Sequence, residues 1–120
     1  MTTDQYKSIA RRFVEEGLNK NNWTVISEIQ GSGYVEHQPT PPGFPTGLEG
    51  YKQFVTTFRA AFPDYRYTID DVIAEGDKVV TRITGQGTMK GTFAGMTATN
   101  KHASWSEIHI SRFKDGKIVE

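Results

Sequence analysis

The sequence predicts an α+β fold, with three helices at the N-terminus followed by an antiparallel meander. Two observations carry this. Apolar residues recur at three- and four-residue steps up to Phe62, and at two-residue steps from Tyr65 onward. The change falls at "FPD", where Pro63 stops a helix and frees the chain to extend. Runs of helices followed by runs of strands pack as segregated layers.

The first helix is expected over residues 2–22. Tyr6, Ile9, Phe13, Val14 and Gly17 form its inner stripe, Thr3 or Asp4 caps its start, and "NKNN" ends it. "WTVISEIQ" predicts a short second helix, with Trp23, Ile26 and Ile29 three apart. Residues 31–50 carry four prolines and five glycines and therefore read as a loop. One short extended piece, Tyr34 to His37, interrupts it. A loop of this length serves as a lid, a binding loop or a disordered segment, and residues 38–47 are the candidate lid. The third helix, residues 47–62, shows a stripe of Tyr51, Phe54, Val55, Phe58 and Phe62.

The strands follow. "DYRYTIDDVIAEGDKVVTRITGQGT" reads as two strands joined by a turn at Glu75-Gly76-Asp77. "TFAGMTATNK" is a loop, "HASWSEIHISRF" a third strand, "KDG" a three-residue turn with Gly116 in a left-handed position, and "KIVE" the opening of a fourth strand. Asp70 and Asp71, being adjacent, should point to opposite faces, which leaves one of them able to face inward; they cannot form a close carboxylate pair and are read as surface and ladder residues.

Composition sets limits on function. At 120 residues the chain makes one domain with one core. Lys plus Arg equals Asp plus Glu at 14 each, which disfavours nucleic acid or an anionic membrane as partner. There is no cysteine, hence no disulfide and no thiolate chemistry. No basic leader and no apolar run approaching ~18 residues is visible, so the expectation is a cytoplasmic protein. The three histidines lack the spacing of a metal site, and neither a phosphate cradle nor a nucleophile elbow is present.

Parity along residues 102–113 locates the chemistry. Ala103, Trp105, Glu107, His109, Ser111 and Phe113 share one face; Ser104, Ser106, Ile108, Ile110 and Arg112 share the other. The first set mixes aromatics with a carboxylate and an imidazole, as the wall of a semi-polar cavity does. The second suits a sheet-to-sheet dimer contact or a partly wet surface. In the reverse assignment Ile108 and Ile110 would form a plain core.

"YVEHQP", the Gly-Leu-Glu-Gly entry to the third helix, "AFPD", "EGDKVVTR", "KGTFAGMTATNK" and "RFKDGKIVE", in that order, resemble the SnoaL-like polyketide (ester) cyclases of the nuclear transport factor 2-like group. The likeness spans essentially the whole chain. It implies a cone-shaped α+β barrel enclosing a pocket, pairing of subunits through their sheets, and intramolecular aldol chemistry without metal or cofactor. It also implies that "KIVE" continues through a His-Trp-Asp run bearing the acid/base aspartate. The expectation is therefore a last strand that is cut short, or completed by a swapped partner, with the chain lacking that aspartate. Met89 stands where many relatives carry His.

His109 and Glu107 are thus the candidate catalytic residues. His109 matches a pocket histidine of the cyclases, and Glu107 is the best carboxylate the chain itself offers. Burial in an aromatic pocket should raise a carboxylate toward a useful base strength. His37, Tyr34, Phe54, Phe58 and Trp105 are the candidate substrate contacts, with Trp105 able to stack on a planar ligand and donate its indole N–H. Packing alone is the competing role for each aromatic. The expected ligand is an aromatic or polyketide-like small molecule, and the expected assembly a homodimer. A non-catalytic binding or dimerisation domain on the same fold is the second reading, since fold does not dictate function.

Overall fold

The computed structural model describes residues 1–31, 33–37, 43–93 and 95–120. The elements are α1 (Thr3–Arg12), a π-helical segment (Phe13–Leu18), α2 (Trp23–Ile29), α3 (Gly47–Ala61), β1 (Arg66–Glu75), β2 (Lys78–Thr88), β3 (His102–Lys114) and β4 (Lys117–Ile118). The four strands form one antiparallel sheet in the order β1-β2-β3-β4. The sheet is open: its first and last strands do not pair.

The helix start lies one residue before the expected cap. The Thr2 hydroxyl accepts from Gln5 N while Gln5 Oε1 accepts from Thr2 N, a reciprocal capping box. The π-helical segment was not legible in the apolar period. Asn19 N donates to the Val14 carbonyl five residues back, which widens the helix by one residue. At Gly17 a Cβ would stand 2.8 Å from Ile26 Cγ1, so glycine lets α2 close against the segment.

The expected meander is present, with two adjustments. The last turn is shorter than expected: Lys114 pairs with Lys117, and Asp115 and Gly116 both take positive φ, the pattern of a two-residue type I′ turn. In β1, register slips between Ile69 and Asp71, leaving Asp70 as the extra residue of a bulge. The bulge reverses parity, so Tyr67 and Ile69 face inward before it, and Val72 and Ala74 after it. Both Asp70 and Asp71 are exposed. Their reading as surface residues holds, and neither faces inward because strict alternation does not survive a bulge. Asp70 instead accepts from Thr84 Oγ1 at 2.6 Å.

The core lies where α1, the π-helical segment and α2 meet the inner face of the sheet. Phe13, Val14, Ile26, Val79, Ile83 and Phe113 are buried there. Each such side chain contributes about 1.5–3 kcal/mol relative to exposure. α1 lies close over β1 and β2. α3 reaches the sheet through long aromatic side chains: Phe58 meets Tyr65 and Trp105, and Phe62 meets Trp105. Aromatic spacers hold this helix off the sheet, and a hollow remains beside them.

Candidate functional site

The hollow is a cavity of about 480 Å³, within the range of small-molecule sites. Phe13, Val14, Leu18, Tyr51, Val55 and Phe58 line its helical side. Tyr67, Thr81, Glu107 and His109 line it from the sheet, and Gln30, Tyr34, Glu36, His37 and Glu120 from the open end. Parity of β3 resolves as the cavity-wall reading has it. Trp105, Glu107 and His109 turn inward, while Ile108 and Ile110 are 61% and 67% exposed.

Glu107 is the electrostatic centre. Its Oε2 accepts from Trp105 Nε1 at 2.8 Å, and its Oε1 lies 3.0 Å from His109 Nε2. The Tyr67 phenol faces the same carboxylate and favours its charged form. Burial pushes Glu107 up, but the hydrogen bonds from His109 and Trp105, with the Tyr67 phenol nearby, outweigh it and hold the carboxyl below its ordinary value. This corrects the expectation that an aromatic pocket would raise this carboxylate into the range of a good base. An ionised carboxylate can only accept, so His109 Nε2 carries the proton in this contact. Nδ1 is then the basic nitrogen of His109.

Tyr67 is held by its backbone. Asn19, at the end of the π-helical segment, accepts from Tyr67 N at 2.7 Å and donates Nδ2–H to the Tyr67 carbonyl at 2.8 Å. The side-chain amide thereby acts as a short extra strand on the edge of β1. Next to it, the Leu18 carbonyl accepts from Tyr65 Oη at 3.0 Å and from Arg59 at 2.8 Å. The end of the π-helical segment thus ties α3 and β1 to the cavity wall.

Of the candidate residues, Glu107, His109, Tyr34, Phe58 and His37 line the cavity; Phe54 and Trp105 do not. Trp105 donates its indole N–H to Glu107 and stands edge-on to Phe58, Phe62 and Tyr67. Phe54 belongs to a cluster with Phe44, Phe58 and Phe93. His37 is exposed at the mouth, with Nε2 3.6 Å from Glu120 Oε2. Glu120 is also gripped by Arg112, whose Nε lies 3.2 Å from Oε1. Most of the candidate lid, residues 38–42, lies outside the described residues. Tyr51, Tyr67, Gln30 and Asn19 are site residues that sequence reasoning left out or assigned to packing. For Tyr67 a signal existed: it shares parity with Ile69 and carries a polar tip.

Among the described residues, no group of His, Asp or Glu side chains could hold a metal ion. No helix is long and apolar enough to cross a membrane.

The SnoaL-like polyketide cyclase family model matches residues 8–120. No curated protein matches the chain. Among solved structures, TsrD from Streptomyces laurentii superposes with a TM-score of 0.86 at 23% identity, covering 99% of this chain and 86% of that one. AclR from Streptomyces galilaeus, a candidate hydroxylase, gives 0.84 at 24%, covering 98% and 76%. IdmH from Streptomyces antibioticus, a candidate polyketide cyclase, gives 0.81 at 28%, covering 93% and 85%. One fold therefore carries more than one described chemistry, and the site must argue for its own.

Proposed function

The chain belongs to the SnoaL-like polyketide cyclase family, and from that premise we propose that its cavity performs cofactor-independent acid/base chemistry at a carbon beside a carbonyl. The observation that carries the reading is the Glu107–His109 contact on the wall of a cavity with aromatic sides. His109 Nδ1 takes the proton from the carbon. The C–H electron pair moves into the carbonyl, leaving enolate charge on its oxygen. The carboxylate of Glu107, fixed by Trp105, steadies the imidazolium that results. In a cyclisation the enolate carbon then attacks a second carbonyl of the same molecule. A carbon–carbon bond forms, and the new alkoxide recovers the proton from the imidazolium. Without a second carbonyl, proton return to another carbon gives isomerisation. A planar aromatic or polyketide-like ligand suits the apolar sides and the polar end.

The test is solvent exchange. With 2-acetylnaphthalene in deuterated water, the wild-type protein should accelerate loss of the methyl protons over buffer. His109→Gln should remove the acceleration, and Glu107→Gln should reduce it. A ketone that binds yet exchanges at the buffer rate would favour a non-catalytic binding domain on this fold.

The assembly proposed with this site is a homodimer through the outer face of the sheet. Ile73, Val80 and Ile110 lie side by side across three strands there, with Ile108 nearby. Asp71 and Arg82 flank the row on one side and Glu75, Lys78 and Arg112 on the other, so a second copy covering the row pairs these mixed charges at its rim. Sedimentation should give a dimer, and Ile110→Lys a monomer.

A further inference from the structure

Four tyrosines line the cavity: Tyr34, Tyr51, Tyr65 and Tyr67. Two of their phenols are hydrogen-bonded inside the protein, Tyr34 Oη donating to Glu36 Oε2 at 2.5 Å and Tyr65 Oη to the Leu18 carbonyl at 3.0 Å, and the Tyr67 phenol faces the Glu107 carboxylate. The Tyr51 phenol has no hydrogen-bond partner among the described residues. Its ring is fixed all the same. Phe13, Trp23 and Tyr34 surround it at centroid distances of 6.2, 6.5 and 6.3 Å.

A second group in the same cavity is in a similar position. Gln30 is only 2% exposed, lines the cavity, and its Oε1 finds no partner. Buried polar groups in folded proteins are nearly always paired, so the buried Gln30 Oε1 at the open end and the partly buried Tyr51 phenol on the helical side leave the cavity two polar groups for a ligand to engage.

We propose that Tyr51 is the carbonyl-binding residue of this site, donating its phenolic hydrogen to the ligand's carbonyl oxygen. The inference rests on the acid/base reading for its catalytic meaning, because that oxygen is where enolate charge develops. A donor already aimed and rigidly packed needs no reorganisation when the charge appears. Burial, and then the neighbouring Tyr34, Tyr67, Tyr65 and Glu107, push the Tyr51 phenol well above its ordinary value. It therefore keeps its proton at neutral pH. The ligand class narrows accordingly to planar molecules with an enolisable ketone or ester carbonyl that reaches α3.

The experiment compares 2-acetylnaphthalene with 2-ethylnaphthalene, which has the same shape without the oxygen. Wild type should bind the ketone about three- to tenfold more tightly, the worth of one hydrogen bond. Tyr51→Phe should bind both equally, with the hydrocarbon affinity unchanged. Tyr65→Phe, whose hydroxyl serves the fold, should keep the ketone preference. A preference that survives in Tyr51→Phe overturns the proposal, and so does a wild type that does not bind the ketone at millimolar concentration or does not prefer it. Ketone preference lost in Tyr51→Phe, with no deuterium exchange in wild type, would keep the binding role and remove the acid/base reading. Exchange that is undiminished in Tyr51→Phe would do the opposite.

Discussion

The two ends of α3 are built from the same kind of residue and do opposite things. Toward its N-terminus Tyr51 fronts a hollow, together with Tyr34, Tyr67, Glu107 and His109. Toward its C-terminus Phe62 stacks at 4.9 Å on Phe58, the last ring of α3 to line the hollow, and both pack on Trp105, closing the space. The closed end is closed because the sheet beneath it lacks side chains. Gly85 lies under the indole, where a Cβ would come within 2.5 Å of Trp105 Cε2, and Gly87 lies under Phe62 at 3.3 Å. Where the sheet instead offers Thr81, Glu107 and His109, the rings stand back. Glycine below gives a plug, and polar side chains below give a pocket. Trp105 joins the two ends, since its ring belongs to the plug and its N–H to Glu107.

The largest break in this arrangement is Trp105→Ala. It opens a void under Phe58 and Phe62 and strips a donor from Glu107. Loss of about 3–5 kcal/mol of stability is expected from the packing change, read by urea denaturation. Gly85→Ala should follow at about 1–3 kcal/mol, because the indole must move to admit the methyl group. It should also diminish His109-dependent exchange, since a displaced indole no longer holds Glu107. If Gly85→Ala destabilises the protein and leaves exchange intact, the two ends are independent and the comparison fails.

This division was only partly legible in the sequence. The faces of β3 were, because alternation runs unbroken from Ala103 to Phe113 and the inner set is chemically unlike the outer one. The faces of β1 were not: the bulge at Asp70 changes parity without a glycine or proline to announce it. Nor could the stripe on α3 tell wall from plug. Period 3.6 places Tyr51, Phe54 and Phe58 on one face whatever lies opposite, and what lies opposite is decided by glycines more than twenty residues away. Phe54, expected at the cavity, packs with Phe44 and Phe93 for that reason. The Glu107 environment was hidden likewise, since the groups facing it come from β1 and from both sides along β3. The hollow itself was anticipated, though through family likeness more than through residue pattern.

The ionised state of Glu107 gives a pH signature. A carboxyl held below its ordinary value in the folded protein binds a proton more readily when unfolded. Stability therefore is fully present above the ordinary value of about 4.5 and declines as pH falls through the lower folded value. Glu107→Gln should flatten part of that decline in thermal melts taken between about pH 3 and pH 6. Glu120, held down by Arg112, and Asp64, held down by Thr88, remain, so some acid sensitivity persists in the variant. A decline identical in wild type and Glu107→Gln would mean that Trp105, His109 and Tyr67 do not favour the charged form.

The smallest effect discriminates best. Tyr51 and Tyr65 both line the cavity, and they differ in whether the phenol has a partner among the described residues. Tyr65 is buried and donates to the Leu18 carbonyl, the same oxygen that Arg59 binds. Removing that hydroxyl should cost about 1 kcal/mol, because a buried hydrogen bond disappears with it. Tyr51→Phe removes a hydroxyl with no hydrogen-bond partner among the described residues, so its melting temperature should match wild type within about 1 °C. A ligand inverts the order. In the presence of a bound ketone wild type gains more thermal stability than Tyr51→Phe, while Tyr65→Phe gains as much as wild type. An equal ligand-induced gain in all three proteins would show that the unpaired phenol has no part in recognition, and the hollow end of α3 would then differ from the solid end in shape alone.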